Sequence, residues 1–476
     1  MGQEINEVRF SAQDFEHFHQ RLAQETELLG RWFAENRFKA CGPTAGLELE
    51  AWLVNRDKQP APINNAFLKS LNSPLVTPEL ATFNVEFNLS PEEISGNVLS
   101  HMNTALQKDW DTARHVANQL DSDLAMIGIL PTVENKHLIM DNLSSMNRYV
   151  ALNHEILRLR GGRPLQLDIH GKDILRAKHN DVMLESATTS FQIHLQVSPE
   201  LAVRAYNASI IASAPLVAVS ANSPYLFGRD LWAETRIPLF EQAVEVGGYE
   251  EGSHGPMRRV TFGSGYARRS LMECFTENLE HYPVLLPTTF ESPVDEMEHL
   301  RLHNGTLWRW NRPLLGFENG EPILRIEQRV VPAGPTIIDS FANAAFYYGL
   351  TNALCNLESS PEEIMDFAQA RDNFYDCAQH GLDAHIVWLD GEKHQAKSLL
   401  QNVLLPLAKQ GLADFGIYDK DISKYLSIIS GRVRTNRNGT NWQRAFVAKH
   451  GNDMKALLTA YMERQQTRQP VHEWDL

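Results

Sequence analysis

Short segments that alternate between apolar and polar residues place the strongest constraint on the fold of this chain. Successive side chains of a β-strand point to opposite faces, so residues i and i+2 share a face and lie about 6.6 Å apart. Each segment therefore predicts a strand with one apolar face and one polar face. Four segments follow this plan clearly, and a fifth follows it less regularly: residues 46–50, 83–88, 191–197, 325–329 and 166–170.

The polar faces of the four clear segments carry an unusual set of side chains. They hold glutamate, histidine, glutamine, asparagine and arginine, and no lysine. Glu48 and Glu50 share one face, where two carboxylates repel each other unless a cation lies between them. With Glu86, His194 and Glu327 they form an oxygen-rich set with one imidazole, which suits Mg²⁺ or Mn²⁺. For any single strand, a solvated sheet face is the alternative interpretation.

The register of one hairpin can be derived. The Asn-Gly pair at 319–320 is the strongest sequence signal for a two-residue β-turn. With this turn, Glu327 is predicted to face Arg312 and Arg329 to face Trp310. Arginines beside a carboxylate favour phosphate binding. Together with carboxylates and metal ions in one polar concavity, they indicate ATP-dependent phosphoryl transfer.

Helical periodicity marks the regions around the predicted strands. Amphipathic helices are predicted over residues 12–37 and after residues 91–93, and a buried helix over 201–221. Residues 338–476 are predicted to be mostly helical, and one helix there is predicted to begin at Ser360 and to end at Gly381. We therefore predict one α+β core with helical ends, divided into an N-terminal helix, a catalytic core and a helical C-terminal region packed on it: residues 1–40, 41–350 and 351–476.

The acidic composition argues against some partners. The chain of 476 residues has 44 Lys and Arg against 59 Asp and Glu, a net charge of −15, which is unfavourable for nucleic acid or an anionic membrane. An anionic substrate therefore needs metal ions or a few well-placed arginines. The four cysteines include no C-x-x-C pair, and the sequence has neither a signal peptide pattern nor an apolar run of about 20 residues. We expect a cytoplasmic protein with free thiols and with no nucleic-acid or membrane partner.

Common nucleotide-binding and hydrolase motifs are absent from the sequence. Gly171-Lys172 lacks the upstream glycine of a Walker loop, and residues 263–268 lack the third glycine of a dinucleotide fingerprint. No zincin helix and no G-x-S-x-G elbow occur. Binding of ATP therefore requires a fold other than the P-loop and Rossmann folds.

These residues resemble the glutamate–cysteine ligase family, in particular its bacterial branch of carboxylate–amine ligases. The resemblance extends over residues 40–350 and continues more weakly into the helical end. Its anchors, in chain order, are residues 46–50, 79–90, 188–194, 221–224, 305–312 and 325–329. The G-x-E-x-E element alone is a weak signal, whereas the ordered set is specific. The resemblance implies a glutamine-synthetase-like α+β fold, in which a curved antiparallel sheet forms a funnel flanked by helices.

The same resemblance implies a reaction and a set of roles. The γ-phosphoryl group of ATP would pass to the side-chain carboxylate of L-glutamate, and an amine, classically that of cysteine, would attack the resulting acyl phosphate. Two or three Mg²⁺ ions, with Mn²⁺ as an alternative, are the implied cofactors. Arg329 matches an arginine at the transferring phosphoryl group, and Arg236 matches an arginine that holds glutamate. The implied metal ligands are Glu48, Glu50, Glu79, Glu86, His194 and Glu327.

Several alternatives stay open at this stage. The amine or the acid could differ, the chain could be a non-catalytic nucleotide-binding relative, and a homo-oligomer is left open. Glu79 could be only a helix or turn carboxylate, Asp168 and His170 could line the funnel or form a structural hydrogen bond, and Trp308 and Trp310 are predicted to pack rather than to hold adenine. No residue identifies itself as the base for the amine. A C-terminal arginine cluster is predicted to lie in solvent rather than reach the substrate: Arg432, Arg434, Arg437 and Arg444.

Overall fold

The protein is described by a computed structural model that covers residues 4–40, 42–246 and 258–476. In chain order its strands are β1 (Thr44–Asn55), β2 (Val76–Pro78), β3 (Asn84–Glu93), β4 (Ser122–Ala125), β5 (Leu165–His170), β6 (Ile174–His179), β7 (Phe191–Val197), β8 (Tyr225–Leu226), β9 (Arg229–Asp230), β10 (Val260–Thr261), β11 (Trp308–Arg309), β12 (Asn311–Glu318), β13 (Glu321–Gln328), β14 (His385–Val387) and β15 (Lys393–Gln395).

The α-helices alternate with these strands and then dominate the C-terminal third. They are α1 (Ala12–Ala34), α2 (Asn64–Leu71), α3 (Val98–Gln119), α4 (Asn147–Leu159), α5 (Ala202–Ser220), α6 (Arg236–Ala243), α7 (Met272–His281), α8 (Glu298–Gly305), α9 (Ile337–Cys355), α10 (Pro361–Ile364), α11 (Phe367–His380), α12 (Ala396–Leu399), α13 (Leu405–Asp414), α14 (Asp419–Thr435), α15 (Gly439–His450) and α16 (Met454–Gln466).

The four clear alternating segments join one antiparallel sheet. Its strand order is β12-β13-β7-β1-β3-β2, and β4 pairs with the C-terminal end of β1, on the side opposite to β3. This arrangement confirms the predicted α+β fold with a curved antiparallel sheet. The fifth segment forms β5, which pairs with β6 in a separate two-stranded sheet. Only the four clear segments therefore place their polar faces together.

The predicted hairpin register is confirmed. Residues 319–320 have positive φ angles of 53° and 84°, as a tight turn between twisted strands requires. Arg312 of β12 lies opposite Glu327 of β13. The Arg329 N–H donates a hydrogen bond to the Trp310 carbonyl at 2.9 Å. The turn thus fixes which arginines share a face with Glu327.

The apolar face of the sheet packs on the helices α5 and α9. Residues of β1, β7 and β13 that alternate with the polar ones belong to this core: Leu47, Leu49, Ile193, Leu195, Leu324 and Ile326. The buried helix predicted over 201–221 is α5, and 17 of its 19 residues are buried. Among the described residues it is also the one helix long and apolar enough to cross a membrane, and 89% of its most apolar window is buried inside the protein. The sheet therefore has one face in the core and one face free for chemistry.

The helix predicted to begin at Ser360 is divided in two. The short α10 follows Ser360, whose side chain makes no capping hydrogen bond. The chain then leaves the helical conformation at Met365, and the longer α11 begins after Asp366, whose carboxylate accepts from the Gln369 N–H at 2.7 Å. The prediction of one continuous helix from Ser360 was wrong because a second, better N-cap lies six residues further on.

The prediction that the C-terminal arginines lie in solvent was wrong for most of them. Arg432 is buried and forms an ion pair with Asp339 of α9 at 2.8 Å. Arg444 pairs with Asp230 at 2.6 Å. Arg437 donates to the carbonyl of Trp474, whereas Arg434 is exposed. Arg432 and Arg444 therefore fasten the helical end to the rest of the protein, and Arg437 makes a contact within the helical end itself.

The cysteines in the described ranges form no disulfide bonds. Cys274, Cys355 and Cys377 are free thiols, as predicted. Burial raises the pKa of each of these thiols, which disfavours the reactive thiolate. Cys41 lies outside the described residues.

Candidate active site

The polar face of the main sheet lines a cavity of about 530 Å³. Strands β1, β3, β7 and β13 form its floor, and residues of α4, α7 and α8 form its sides. The structure brings to this cavity all six predicted metal ligands and two of the predicted arginines: Glu48, Glu50, Glu79, Glu86, His194, Glu327, Arg312 and Arg329.

Glu48, His194 and Glu327 form the first ligand group. Glu327 of β13 pairs with His194 of β7, and His194 pairs on its other side with Gly46 of β1, so that Glu48 is the next residue of β1 on this face. His194 Nε2 lies 3.6 Å from Glu48 Oε1 and 3.7 Å from Glu327 Oε1. One ligand atom of each residue lies within 4.8 Å of the other two. Three neighbouring strands thus converge on one point.

The donor atoms of the first ligand group fit a divalent cation. His194 is buried, and its Nε2 has no hydrogen-bond partner among the described residues. Burial lowers the pKa of His194 despite the neighbouring carboxylates, which favours the neutral imidazole that binds metals. A buried ring nitrogen without a partner, facing two carboxylates, is the arrangement that a Mg²⁺ or Mn²⁺ ion would complete.

Glu50, Glu79 and Glu86 form the second ligand group. Glu50 of β1 lies directly opposite Glu86 of β3, a cross-strand pairing of like charges that destabilises a sheet unless it is neutralised. Glu79 follows the end of β2, and one oxygen of each carboxylate lies within 4.8 Å of the other two. Oxygen ligands of this kind suit a hard divalent cation. Glu79 therefore lies where its predicted metal role requires it.

Burial and mutual repulsion raise the pKa values of the second ligand group. Burial first, and then Glu48 and Glu50, raise the pKa of Glu86 to about 7. Burial, Glu86 and Glu50 raise the pKa of Glu79 well above its ordinary value. The group therefore retains protons near neutral pH when no cation is bound, and a binding cation must displace them.

Arg312 and Arg329 hold Glu327 from two sides. Arg312 makes a bidentate pair with Glu327, with Nε at 2.8 Å from Oε2 and Nη2 at 3.0 Å from Oε1. Arg329 Nη1 lies 3.0 Å from Glu327 Oε2 and also donates to Gln192 Oε1. Burial by itself raises the pKa of Glu327, but the two arginines and His194 outweigh it and hold this pKa well below its usual range. The carboxylate is charged, and two guanidinium groups lie beside it where a phosphate could bind.

Neighbouring polar groups fix the orientation of Glu50. Its carboxylate accepts hydrogen bonds from the Ser190 N–H at 2.7 Å, the Ser190 hydroxyl at 2.8 Å and Gln192 Nε2 at 3.0 Å. Gln192 thus links Glu50 to Arg329. Such outer partners orient metal ligands and are part of a working site.

Arg236 lies behind the cavity and is not among the described residues that line it. Its guanidinium is buried, pairs with Glu234 at 3.3 Å and donates to the carbonyls of Arg329 at 3.0 Å and Val330 at 2.6 Å. In this conformation Arg236 therefore fixes the backbone that carries Arg329.

One end of the cavity is apolar and suits a planar ring. Its lining includes Phe275, Leu286, Leu300, Leu302 and Trp308. Trp310, in contrast, is buried against Phe240 and Phe374, and its indole N–H donates to Glu241 at 2.9 Å. The packing role predicted for both tryptophans holds for both, because Trp308 also packs against Phe240 with ring centroids 6.0 Å apart, and Trp308 lines the cavity in addition.

The opposite end of the cavity contains residues that the sequence patterns missed. Arg148 and Tyr149 lie at the start of α4, and Glu185 lies in a short 3₁₀ turn before β7. The Arg148 guanidinium donates to the Tyr149 hydroxyl at 2.6 Å. None of these residues belongs to an alternating segment. The available signal for Glu185 was a charged residue directly after the apolar residues 182–184.

Asp168 and His170 lie outside the cavity as far as the described residues show. They are exposed residues of β5, and His170 Nε2 lies 2.9 Å from Asp168 Oδ1. Of the two interpretations left open for this pair, the local side-chain interaction is the one that is present.

The chain matches one protein-family model over most of its length. The model is described as glutamate–cysteine ligase family 2, and it matches residues 44–469. A comparison with curated proteins gave no match.

Two solved structures share the fold at low sequence identity. The glutamate–cysteine ligase of Francisella tularensis, solved in complex with AMP, has 11% identity and a TM-score of 0.56, with 92% of this chain and 91% of that chain covered. A bifunctional glutathione synthetase of Pasteurella multocida has 11% identity and a TM-score of 0.54, with 94% of this chain covered. This chain spans 55% of the length of the Pasteurella protein. At this identity the similarity shows the fold.

Proposed function

The chain belongs to glutamate–cysteine ligase family 2, and on that premise we propose that it is an ATP-dependent ligase that joins the side-chain carboxylate of L-glutamate to the amine of cysteine through an acyl phosphate. The observation that carries the proposal is the meeting of two complete ligand groups with Arg312 and Arg329 in one cavity. Carboxylates, an imidazole and arginines in this arrangement suit the transfer of a phosphoryl group between two anions.

The order of side chains along the cavity supports a position for each substrate. The apolar end around Phe275 and Trp308 would take the base of ATP, and its polyphosphate would lie at the first ligand group. Divalent ions, two or three Mg²⁺ with Mn²⁺ as an alternative, would neutralise the polyphosphate and the carboxylate that approaches it. The acid would then lie at the second ligand group, next to Arg329.

The arginines would act where negative charge accumulates. A carboxylate is a poor acyl donor because its leaving group would be oxide, so it must first be phosphorylated. Arg329 would bind the phosphoryl group in transit, because its guanidinium reaches from Glu327 toward Glu50. Arg312 would keep Glu327 charged and oriented through its bidentate pair. Arg236 would hold the Arg329 backbone, and its predicted contact with glutamate stays a prediction.

The identity of the substrates is the finer part of the proposal. Glutamate as acid and cysteine as amine are supported by the family to which the chain belongs, and an anionic acid suits the arginines and candidate ion sites of the cavity. A role in glutathione biosynthesis and a cytoplasmic location are part of the same proposal. A non-catalytic nucleotide-binding relative has no need for two ligand groups and a phosphoryl-binding arginine. The complete set therefore favours an enzyme over that alternative.

The proposal is tested by measuring ADP release from ATP and Mg²⁺ with L-glutamate alone and then with cysteine or other small amines, followed by the mass of the product. We expect ADP release that requires glutamate and increases with cysteine, and we expect γ-glutamylcysteine as the product. Stimulation by a different amine would keep the chemistry and replace cysteine. A folded protein that releases no ADP with glutamate under any of these conditions would contradict the proposal.

A further inference from the structure

Glu185 is the acidic residue of the cavity that the proposed roles do not use. Its 3₁₀ turn is held by hydrogen bonds from the Glu185 N–H to the Val182 carbonyl and from Thr188 to the Glu185 carbonyl, each at 3.0 Å between backbone atoms. The Val182 N–H in turn donates to Asn153 of α4 at 3.1 Å. The side chain therefore projects into the cavity from a fixed backbone.

The Glu185 carboxylate differs from the other carboxylates of the cavity in its partners. Glu50 accepts from Ser190 and Gln192, and Glu327 from two arginines. Within the described part of the chain, no side chain or backbone N–H donates a hydrogen bond to the Glu185 carboxylate, and no cation lies within ion-pair distance of it. Glu185 is half-buried and lines the cavity, so its carboxylate is accessible to a ligand that supplies a hydrogen-bond donor or a cation.

Glu185 is not a member of either ligand group. The ligand that binds the Glu185 carboxylate would therefore be a group other than the ions proposed for the two ligand groups. The neighbouring charges that act on it are first Glu50, and then Arg329 and Arg148. Glu185 thus lies close to the residue proposed to bind the phosphoryl group in transit, at the end of the cavity away from the apolar lining.

Two substrates of the proposed reaction carry an ammonium group. The ammonium group of glutamate is separated from the reacting side-chain carboxyl by three carbon atoms, whereas the nitrogen of the acceptor must reach the carbonyl carbon itself, at about 3 to 3.5 Å before attack. A carboxylate near Arg329 is therefore placed for the acceptor.

We propose, on the premise of the ligase function above, that Glu185 binds the ammonium group of the acceptor amine and takes one proton from it, so that the acceptor enters as a cation and attacks as a neutral amine. Glu185 is then both a catalytic residue and the residue that selects a cationic acceptor. Burial and Glu50 raise the pKa of Glu185 to about 8, so its carboxyl group holds a proton near neutral pH until a cationic acceptor binds beside it and displaces that proton, and it takes a proton back as the acceptor nitrogen becomes neutral.

The proposed step removes two protons from the acceptor nitrogen. The ammonium group gives one proton to Glu185, and the freed electron pair of nitrogen forms a bond to the acyl carbon. The bond from that carbon to the phosphate oxygen breaks, and the phosphate leaves with the electron pair. The nitrogen loses its second proton to the departing phosphate, so that the products are an amide, hydrogen phosphate and protonated Glu185, which returns its proton to solvent.

Hydroxylamine gives a test that separates this role from all others in the cavity. It is neutral at near-neutral pH and traps an acyl phosphate as a hydroxamate without first losing a proton. The variant Glu185→Gln is compared with the wild type for hydroxamate formed from hydroxylamine and for amide formed from cysteine, methylammonium and concentrated ammonium, all with ATP, Mg²⁺ and glutamate. Glu185→Asp keeps the charge, and Glu280→Gln on the exposed surface is the matched control.

We expect Glu185→Gln to form hydroxamate at the wild-type rate and to lose at least about 100-fold in amide formation, the size of a general-base contribution. Glu185→Asp should regain part of the amide activity. Equal loss of hydroxamate and amide would overturn the proposal, because it would make Glu185 a ligand of metal or glutamate. Wild-type rates for both products would overturn it too. A wild type that forms hydroxamate but no amide from any cationic amine would overturn it as well. A wild type without hydroxamate would instead contradict the ligase function itself.

Discussion

At the scale of single residues, Glu327 has the most demanding set of partners in the cavity. It faces His194 across the sheet and receives Arg312 and Arg329 at distances of 2.8 to 3.0 Å. Its side chain is nearly inaccessible, with 4% exposure. One carboxylate therefore serves as a predicted metal ligand and orients two guanidinium groups, so a change of charge there acts on several parts of the site.

We predict that Glu327→Gln folds but loses turnover by at least about 100-fold, because an amide of nearly equal volume removes one ligand charge and leaves two arginines without their anion. The rate is measured as glutamate-dependent ADP release, and folding by circular dichroism and the melting temperature. Glu321→Gln, at the exposed start of β13 in the same hairpin, is the matched control and should keep the wild-type rate. Normal turnover in a folded Glu327→Gln protein would contradict the metal role of Glu327.

The second ligand group predicts a pH-dependent effect of Mg²⁺ on stability. The pKa of Glu86 is raised from 4.5 to about 7, so between these values the folded protein binds more protons than the unfolded chain. The protonated Glu86 carboxyl therefore contributes to the free energy of unfolding in full below pH 4.5, and this contribution is lost as the pH rises to about 7. A cation binds the charged form, so Mg²⁺ should raise the melting temperature more at about pH 8 than at about pH 6.

The measurement is thermal unfolding with and without MgCl₂ at both pH values. Glu86→Gln removes the titrating carboxyl, so its Mg²⁺-induced shift should be smaller and should depend less on pH. A wild-type shift of the same size at both pH values would show that Mg²⁺ does not bind in competition with the protons of this group.

At the scale of the elements, the close pairing of β1 and β7 positions the imidazole. A Cβ atom added at Gly46 would lie 3.2 Å from the Cβ of His194, so Gly46→Ala must push the two strands or the ring apart by a few tenths of an ångström. We expect the protein to fold and its turnover to fall by roughly 10- to 100-fold, as for the loss of a supporting contact in a metal site. Gly265→Ala, with no atom within 4 Å of the added Cβ, is the control. Equal rates for both variants would contradict this positioning.

The elements also show what could be predicted from the sequence. Alternation and one Asn-Gly turn were enough for the strands, for the pairing of Arg312 with Glu327 and for the shared polar face, because both signals act between near neighbours. The division of the helix after Ser360 depended on a competing cap at Asp366. Glu185 reaches the cavity only through the packing of its turn against α4, and this tertiary contact leaves no periodic signal.

At the scale of the whole molecule, one buried ion pair links the helical C-terminal region to the core. Arg432 of α14 donates to Asp339 of α9, and both side chains are at most 1% exposed. We predict that Arg432→Met lowers the free energy of unfolding by about 3 to 5 kcal/mol, because it leaves Asp339 buried without its cation. Arg434→Met, on the exposed side of the same helix, is the matched control. Urea unfolding of both variants measures the difference, and equal midpoints would contradict the prediction.

The same comparison separates stability from chemistry. Arg432 is not among the described residues that line the cavity, so Arg432→Met should keep the wild-type turnover at a temperature where it remains folded. The sequence placed this arginine in solvent because a cluster of charges in a helical tail usually lies there. Its aspartate partner is 93 residues away along the chain, which no local pattern shows.

The most direct test of the central claim is the fate of an oxygen atom. L-Glutamate labelled with ¹⁸O in its side-chain carboxylate is incubated with the enzyme, ATP, Mg²⁺ and hydroxylamine, and the inorganic phosphate is analysed by mass spectrometry. A ligase that forms an acyl phosphate must transfer one carboxylate oxygen to phosphate, so phosphate with one ¹⁸O atom is the predicted result. Phosphate without ¹⁸O, released by a folded protein that consumes ATP, would contradict phosphoryl transfer to the glutamate side chain in this cavity.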